Sequence, residues 1–164
     1  MKKAFVLALS LGLVAAFSAP AFAHCQIPCG IYGDNMRFQM LLENLTTIEK
    51  SMNEINALSG NTGSNINQLV RWVANKEEHA DAISEIVTEY FLKQRVKPVD
   101  AGDKTAYAAY QEKLTVLHGI LVYSMKAKQT TDLDNVEQMR KLVHKFAELY
   151  LDEDALKHLK EHHQ

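Results

Sequence analysis

The chain has 164 residues, enough for one domain with a real hydrophobic core. Lys plus Arg number 18 against 20 Asp plus Glu, and the seven histidines add charge only at mildly acidic pH. This balance excludes the basic field expected of a nucleic-acid-binding protein.

The N-terminus reads Met1-Lys2-Lys3, an uncharged apolar run from Ala4 to Phe17, and the small-x-small tripeptide Ala21-Phe22-Ala23. These features predict a secretory signal peptide over residues 1–23, too short to remain as a membrane-spanning helix. Cleavage after Ala23 makes His24 the first mature residue. Two lysines without an Arg-Arg pair point to general export, and His24 occupies the place where a lipid-attachment site takes a small residue. The expected location is periplasmic or extracellular, with no membrane association after cleavage. A retained N-terminal helix is the alternative.

Residues 24–33 carry both cysteines of the chain, Cys25 and Cys29. An exported protein with two cysteines first suggests a disulfide. A Cys25–Cys29 bridge would close so small a loop that it restrains the unfolded chain little.

Four helical stretches follow, over residues 34–164. The first starts at Asp34 as N-cap and carries Phe38, Leu41, Leu42, Leu45, Ile48, Met52, Ile55 and Leu58 on one stripe. Turn formers at residues 59–65 end it. The second, about 66–94, carries Ile66, Leu69, Val70, Val73, Ile83, Ile86, Val87, Tyr90 and Phe91 before Pro98 and Gly102 break the pattern. The third, about 104–128, shows Tyr107, Tyr110, Leu114, Leu117, Leu121 and Met125. The fourth shows Val136, Met139, Leu142, Val143, Phe146, Leu149 and Tyr150, with the C-terminal residues fraying or continuing it. Each stripe needs apolar partners, so the predicted fold is all-α, an antiparallel four-helix bundle.

The stripes lack the Glu-x-x-His pairs and supporting carboxylates of a di-iron bundle, and the chain has no Cys-x-x-Cys-His haem motif. The metal chemistry therefore points to the N-terminal hook. With His24 at the mature terminus, the α-amine, the imidazole, the Cys25 backbone nitrogen and two thiolates come together within residues 24–29. Soft thiolates with nitrogen donors in a square-planar set suit Ni(II) or Cu(II). A closed zinc site usually draws its ligands from separated pairs, and only one pair of cysteines exists. Pro28 and Gly30 shape the turn so that both thiolates can face one centre.

The segment His24 to Tyr32, HCQIPCGIY, resembles the His-Cys-x-x-Pro-Cys-Gly-x-Tyr hook of the nickel-containing superoxide dismutases. A weaker similarity extends to RWVANKEEHA in the second helix. The resemblance implies a homohexamer of four-helix bundles, each binding one nickel ion and disproportionating superoxide as nickel passes between Ni(III) and Ni(II). It assigns His24 the α-amine and an axial imidazole, Cys25 its amide nitrogen and thiolate, and Cys29 the second thiolate. It places Tyr32 over the open face, where it orders water or anion and restricts access. It also implies an acidic group on the first helix and a basic one on the second that hold the imidazole, where this chain has Gln39 and His79. The family often carries a short leader cut by a dedicated protease, and if residues 1–23 are such a prosequence the location becomes cytoplasmic.

Other readings stand beside this one. The hook could bind nickel or copper for storage or delivery without turnover, or close as a disulfide turn of no catalytic role. His158 and His162 lie four apart and, with His163, could capture metal, although such tails are usually solvated. His118 and His144 read as partly buried packing residues.

Overall fold

The computed structural model describes residues 33–162. The leader and the hook through Tyr32 lie outside the described residues. The helices are α1 (Asp34–Leu58), α2 (Thr62–Glu85), α3 (Lys104–Gln129), α4 (Asp134–Tyr150) and α5 (Glu153–His162). A 3-10 turn, Ser59–Asn61, joins the first two, and α2 runs directly into a π-helical stretch, Ile86–Arg95. No strand occurs among the described residues.

The short links make successive helices antiparallel. Helix α1 packs on α2 and α3 on α4, while α2 against α3 and α1 against α4 close the ring. The all-α bundle expected from the stripes is the fold observed. Its core includes Phe38, Leu41, Leu42, Leu45, Ile48 and Met52 from α1, Ile83 from α2, and Met139, Val143 and Phe146 from α4. In α3 the buried positions are Val116, Leu117, Ile120, Ser124 and Ala127, so the face turns away from the predicted Met125, which is exposed. At Gly119 an added Cβ would come within 2.9 Å of Leu142, so the glycine lets α3 and α4 approach closely.

Three expectations fail for identifiable reasons. The turn formers at 59–65 interrupt the helix for only Ser59–Asn61, because Thr62 onward is already helical. His118 is exposed, since the α3 core face lies elsewhere. Ile66, Val70 and Val73 are 58%, 59% and 41% exposed and do not join the core. The last misfit is one of length. Lys76 of α2 meets the carboxyl end of α3, so α2 residues before it overhang where α3 has stopped.

Lys76 is only 3% exposed, and its Nζ donates to the carbonyls of Ala127 at 2.7 Å, Lys128 at 2.5 Å and Thr130 at 3.2 Å. The last carbonyls of a helix lack intrahelical partners and carry partial negative charge, so a buried ammonium satisfies both needs. Nearby, Asn75 donates to Ser51 at 2.9 Å, and Ser124 donates to the Ala80 carbonyl at 2.7 Å.

After α4, Leu151 is extended and Asp152 caps the next helix, its carboxylate accepting from Ala155 N–H at 2.8 Å. The chain thus folds back, and α5 buries Leu159 while packing on α1. The C-terminal segment is a separate helix rather than an extension of α4.

Candidate functional site

The expected metal ligands His24, Cys25 and Cys29, and the expected gate Tyr32, lie outside the described residues. The described part of the site is the platform to which they are tethered, beginning at Gly33. Among the described residues no three His, Cys, Asp or Glu side chains are grouped to hold a metal.

Gly33 has φ 73° and ψ 153°, the one positive φ among the described residues. That region is essentially open to glycine alone. An added Cβ would meet nothing within 4 Å, so it is the backbone conformation, not crowding, that calls for glycine.

Asp34 follows as the first residue of α1. Expected as the N-cap, it is instead the first helical residue, the N-cap position falling on Gly33, and its carboxylate is committed elsewhere. Tyr90 O–H donates to Oδ1, and Tyr150 O–H donates to Oδ2 at 2.8 Å. Arg95 Nη2 donates to the Tyr90 oxygen at 3.0 Å, and its Nε lies 3.2 Å from Asp34 Oδ1 as a charge contact rather than an aligned hydrogen bond. One carboxylate therefore joins α1, the π-helical stretch and α4.

The π-helix explains how Arg95 reaches this position. Its wider turn relates residues five apart, shown by Val96 N–H donating to the Phe91 carbonyl at 2.8 Å. Arg95 accordingly comes back over Tyr90, with its guanidinium carbon 5.0 Å from the ring centroid, and Arg37 approaches the same ring at 5.0 Å. Ile86, Val87, Tyr90 and Phe91 all remain buried.

An aromatic cluster supports the polar one. Phe91 sits 4.8 Å from Phe146, 5.2 Å from Phe38 and 5.5 Å from Tyr150, measured between ring centroids. Edge-on and tilted contacts of this kind favour fixed ring orientations. Burial and the adjacent Asp34 raise the Tyr150 hydroxyl well above the ordinary tyrosine range, and burial raises Tyr90 as well. Both phenols therefore hold their protons and donate to Asp34 at neutral pH. The Tyr90 hydrogen bond and Asp34 in turn raise Arg95.

Beside this cluster lies a groove of about 280 Å³ whose lining includes Arg95, Lys97, Lys113, Tyr110 and Tyr150. Lys113 Nζ stands 5.9 Å from the Tyr150 ring centroid.

His79 is half-buried on α2 and pairs with Asn44, Nδ1 to Oδ1 at 2.5 Å. Asn44 uses its Nδ2 on the Met40 carbonyl at 2.7 Å, so His79 Nδ1 carries the hydrogen and donates. Gln39 is half-buried on α1, five residues before Asn44. His158 pairs with Asn35 at 3.1 Å, which brings α5 to the start of α1.

The sequence reading missed Asp34, Arg95 and the roles of Tyr90 and Tyr150. Two tyrosines at the ends of apolar stripes were the available signal, since a buried phenol requires a polar partner.

The chain matches the family model of nickel-containing superoxide dismutase over residues 19–154. No curated protein and no solved structure matches it.

Proposed function

The chain belongs to the nickel-containing superoxide dismutase family, and from that membership we propose a metal centre at the mature N-terminus, with His24, Cys25 and Cys29 as its ligands. As a member it is an oxidoreductase that uses nickel and acts on superoxide. The donor set fits the metal: two soft, anionic thiolates, an amine, an imidazole and an amide nitrogen stabilise a higher oxidation state that aqueous nickel resists. Nickel held there would supply a Ni(III)/Ni(II) couple for the disproportionation of two superoxide ions and two protons to oxygen and hydrogen peroxide.

The chain's own residues have distinct duties in this reading. His24 would hold the metal through its α-amine and its imidazole. Cys25 supplies its amide nitrogen and thiolate, and Cys29 the second thiolate. Tyr32 would restrict access to the metal and order water or anion beside it. In this reading Gln39 and His79 are the nearest counterparts of the family's partners of the imidazole, and the His79–Asn44 hydrogen bond fixes the orientation of the His79 ring. The cationic groove lined by Arg95, Lys97 and Lys113 favours an anionic substrate at this end of the bundle.

One nickel per chain and a homohexameric assembly complete the reading. The uncovered Ile66, Val70 and Val73 support association between copies, because an apolar stripe of this kind gains by leaving water. Export through the 1–23 leader would expose His24 and require metal loading outside the cytosol.

The contiguous His24–Cys25–Cys29–Tyr32 motif carries this reading. The test is nickel content by mass spectrometry together with superoxide disproportionation, on protein starting at His24. One nickel per chain, lost in Cys25→Ser or Cys29→Ser but kept when His158, His162 and His163 become Gln, is expected alongside turnover. Full activity with the leader still attached would overturn the α-amine ligand. Nickel binding without turnover would make the protein a carrier.

A further inference from the structure

We propose that Gly33 and Asp34 form a rigid joint that sets the direction in which the hook leaves the bundle, making them positioning residues for the nickel ion. The inference rests on the hook reading above and adds to it two residues that the ligand motif does not contain.

Helix N-termini ordinarily fray, and one side-chain cap satisfies the first amides. Here the N-cap is Gly33, which has no side chain to cap with, while the carboxylate of the first helical residue, Asp34, is held by Tyr90, Arg95 and Tyr150 from two other parts of the bundle. These contacts fix Asp34 relative to the π-helical stretch and α4 together. The residue before it adopts a conformation that glycine alone takes readily, although among the described residues nothing would crowd a side chain there. A device serving bundle stability alone would need the carboxylate but no particular backbone direction at residue 33.

Both features act on the same stretch of chain. Asp34 follows Tyr32 by two residues and Cys29 by five. An extended chain spans at most about 3.6 Å per residue, so the proposed ligand Cys29 can lie no more than about 18 Å from Asp34, and a change in direction at residue 33 acts close to it. A square-planar donor set depends on the mutual placement of its atoms. Its supporting contacts typically matter by about tenfold or more in metal affinity.

The experiment compares Gly33→Ala, Asp34→Asn and a control, Lys76→Met, in protein that starts at His24. Nickel affinity is read by competition with a chelator, ligand geometry by the thiolate-to-nickel charge-transfer absorption, and folding by circular dichroism. Gly33→Ala and Asp34→Asn are expected to weaken nickel binding by about tenfold or more and to shift the charge-transfer bands while helical content at 25 °C is kept. Lys76→Met is expected to lower the melting temperature and leave both metal readouts unchanged. Should Asp34→Asn fail to fold, Gly33→Ala still decides, because its site is open.

Unchanged affinity and bands in Gly33→Ala would overturn the joint and leave the hook intact. Equal changes in Lys76→Met would also overturn it, by making the effect one of general stability. A parent protein that binds no nickel through Cys25 and Cys29 would instead remove the hook reading, and the joint with it.

Discussion

The two ends of the bundle hold opposite charges, a half-buried carboxylate and a buried ammonium, and satisfy them differently. Where α1 begins, the Asp34 carboxylate is met by two phenols and a guanidinium above a cluster of aromatic rings. Where α3 stops, the Lys76 ammonium is met by three backbone carbonyls. The first arrangement depends on side chains from separate elements and holds their mutual placement. The second uses carbonyls that any helix end provides and requires only that α3 stop there. Directional precision is concentrated at the end that carries the hook.

Deep truncation at the hook end should have the largest effect. Phe91→Ala removes the ring shared by Phe38, Phe146 and Tyr150 and is expected to cost about 4 kcal/mol in urea unfolding. A loss below about 1 kcal/mol would show that the rings do not act as one packed unit.

At the opposite end, Lys76→Met keeps the side-chain bulk but strands three carbonyls, for an expected loss of about 3 kcal/mol. Tyr150→Phe removes one hydrogen bond to a charged group and should cost about 1.5 kcal/mol at neutral pH. The two substitutions share no contact, so the double variant should be additive within about 0.5 kcal/mol. Stronger coupling would show that the ends are not independent.

Alkaline pH separates the ends by sign. The folded-state Tyr150 pKa is raised above its ordinary value of 10, so its contribution is full below that pH and declines as pH rises further, while the unfolded chain loses its proton first. Burial lowers Lys76 from 10.5, so the unfolded chain holds that proton more tightly and this contribution grows as pH rises through the lowered value toward 10.5. Urea midpoints between pH 8 and 11 should therefore fall less steeply above about pH 10 in Tyr150→Phe and lose an upward component below that pH in Lys76→Met. Identical profiles for the two variants would contradict this assignment.

The smallest effect on the folded chain is expected beyond Lys76, on the overhang. Val70→Lys should change the stability of the single bundle by no more than about 0.5 kcal/mol, because Val70 is already exposed. If copies associate through the overhang as proposed, it should shift the assembly toward smaller species in analytical ultracentrifugation. An unchanged assembly would remove the overhang from the subunit contacts.

The limits of sequence reading follow the same division. The α1 stripe from Phe38 to Met52 was legible because helical periodicity places those residues on one face, and that face has partners along its length. Ile66, Val70 and Val73 obey the same periodicity, but periodicity does not say where the neighbouring helix ends. The family was legible because the residues that carry the resemblance lie within one short stretch, His24 to Tyr32, and the family match spans residues 19–154; the ligand roles within that stretch remain a proposal. Asp34 was misread as a local cap because its partners lie 56 and 116 residues away in the chain. No local pattern announces a contact of that range.

That separation also orders events in time. Contacts between residues far apart in sequence carry a larger loop-closure entropy than those within a helical hairpin, so they tend to form late in folding. Tyr150 is the last of the Asp34 partners to be synthesised, after α1, α2, α3 and nearly all of α4 have been made. An incomplete chain can form the α1–α2 hairpin, but it cannot complete this cluster. The first residue of α1 therefore acquires its full set of partners only once nearly the whole bundle exists.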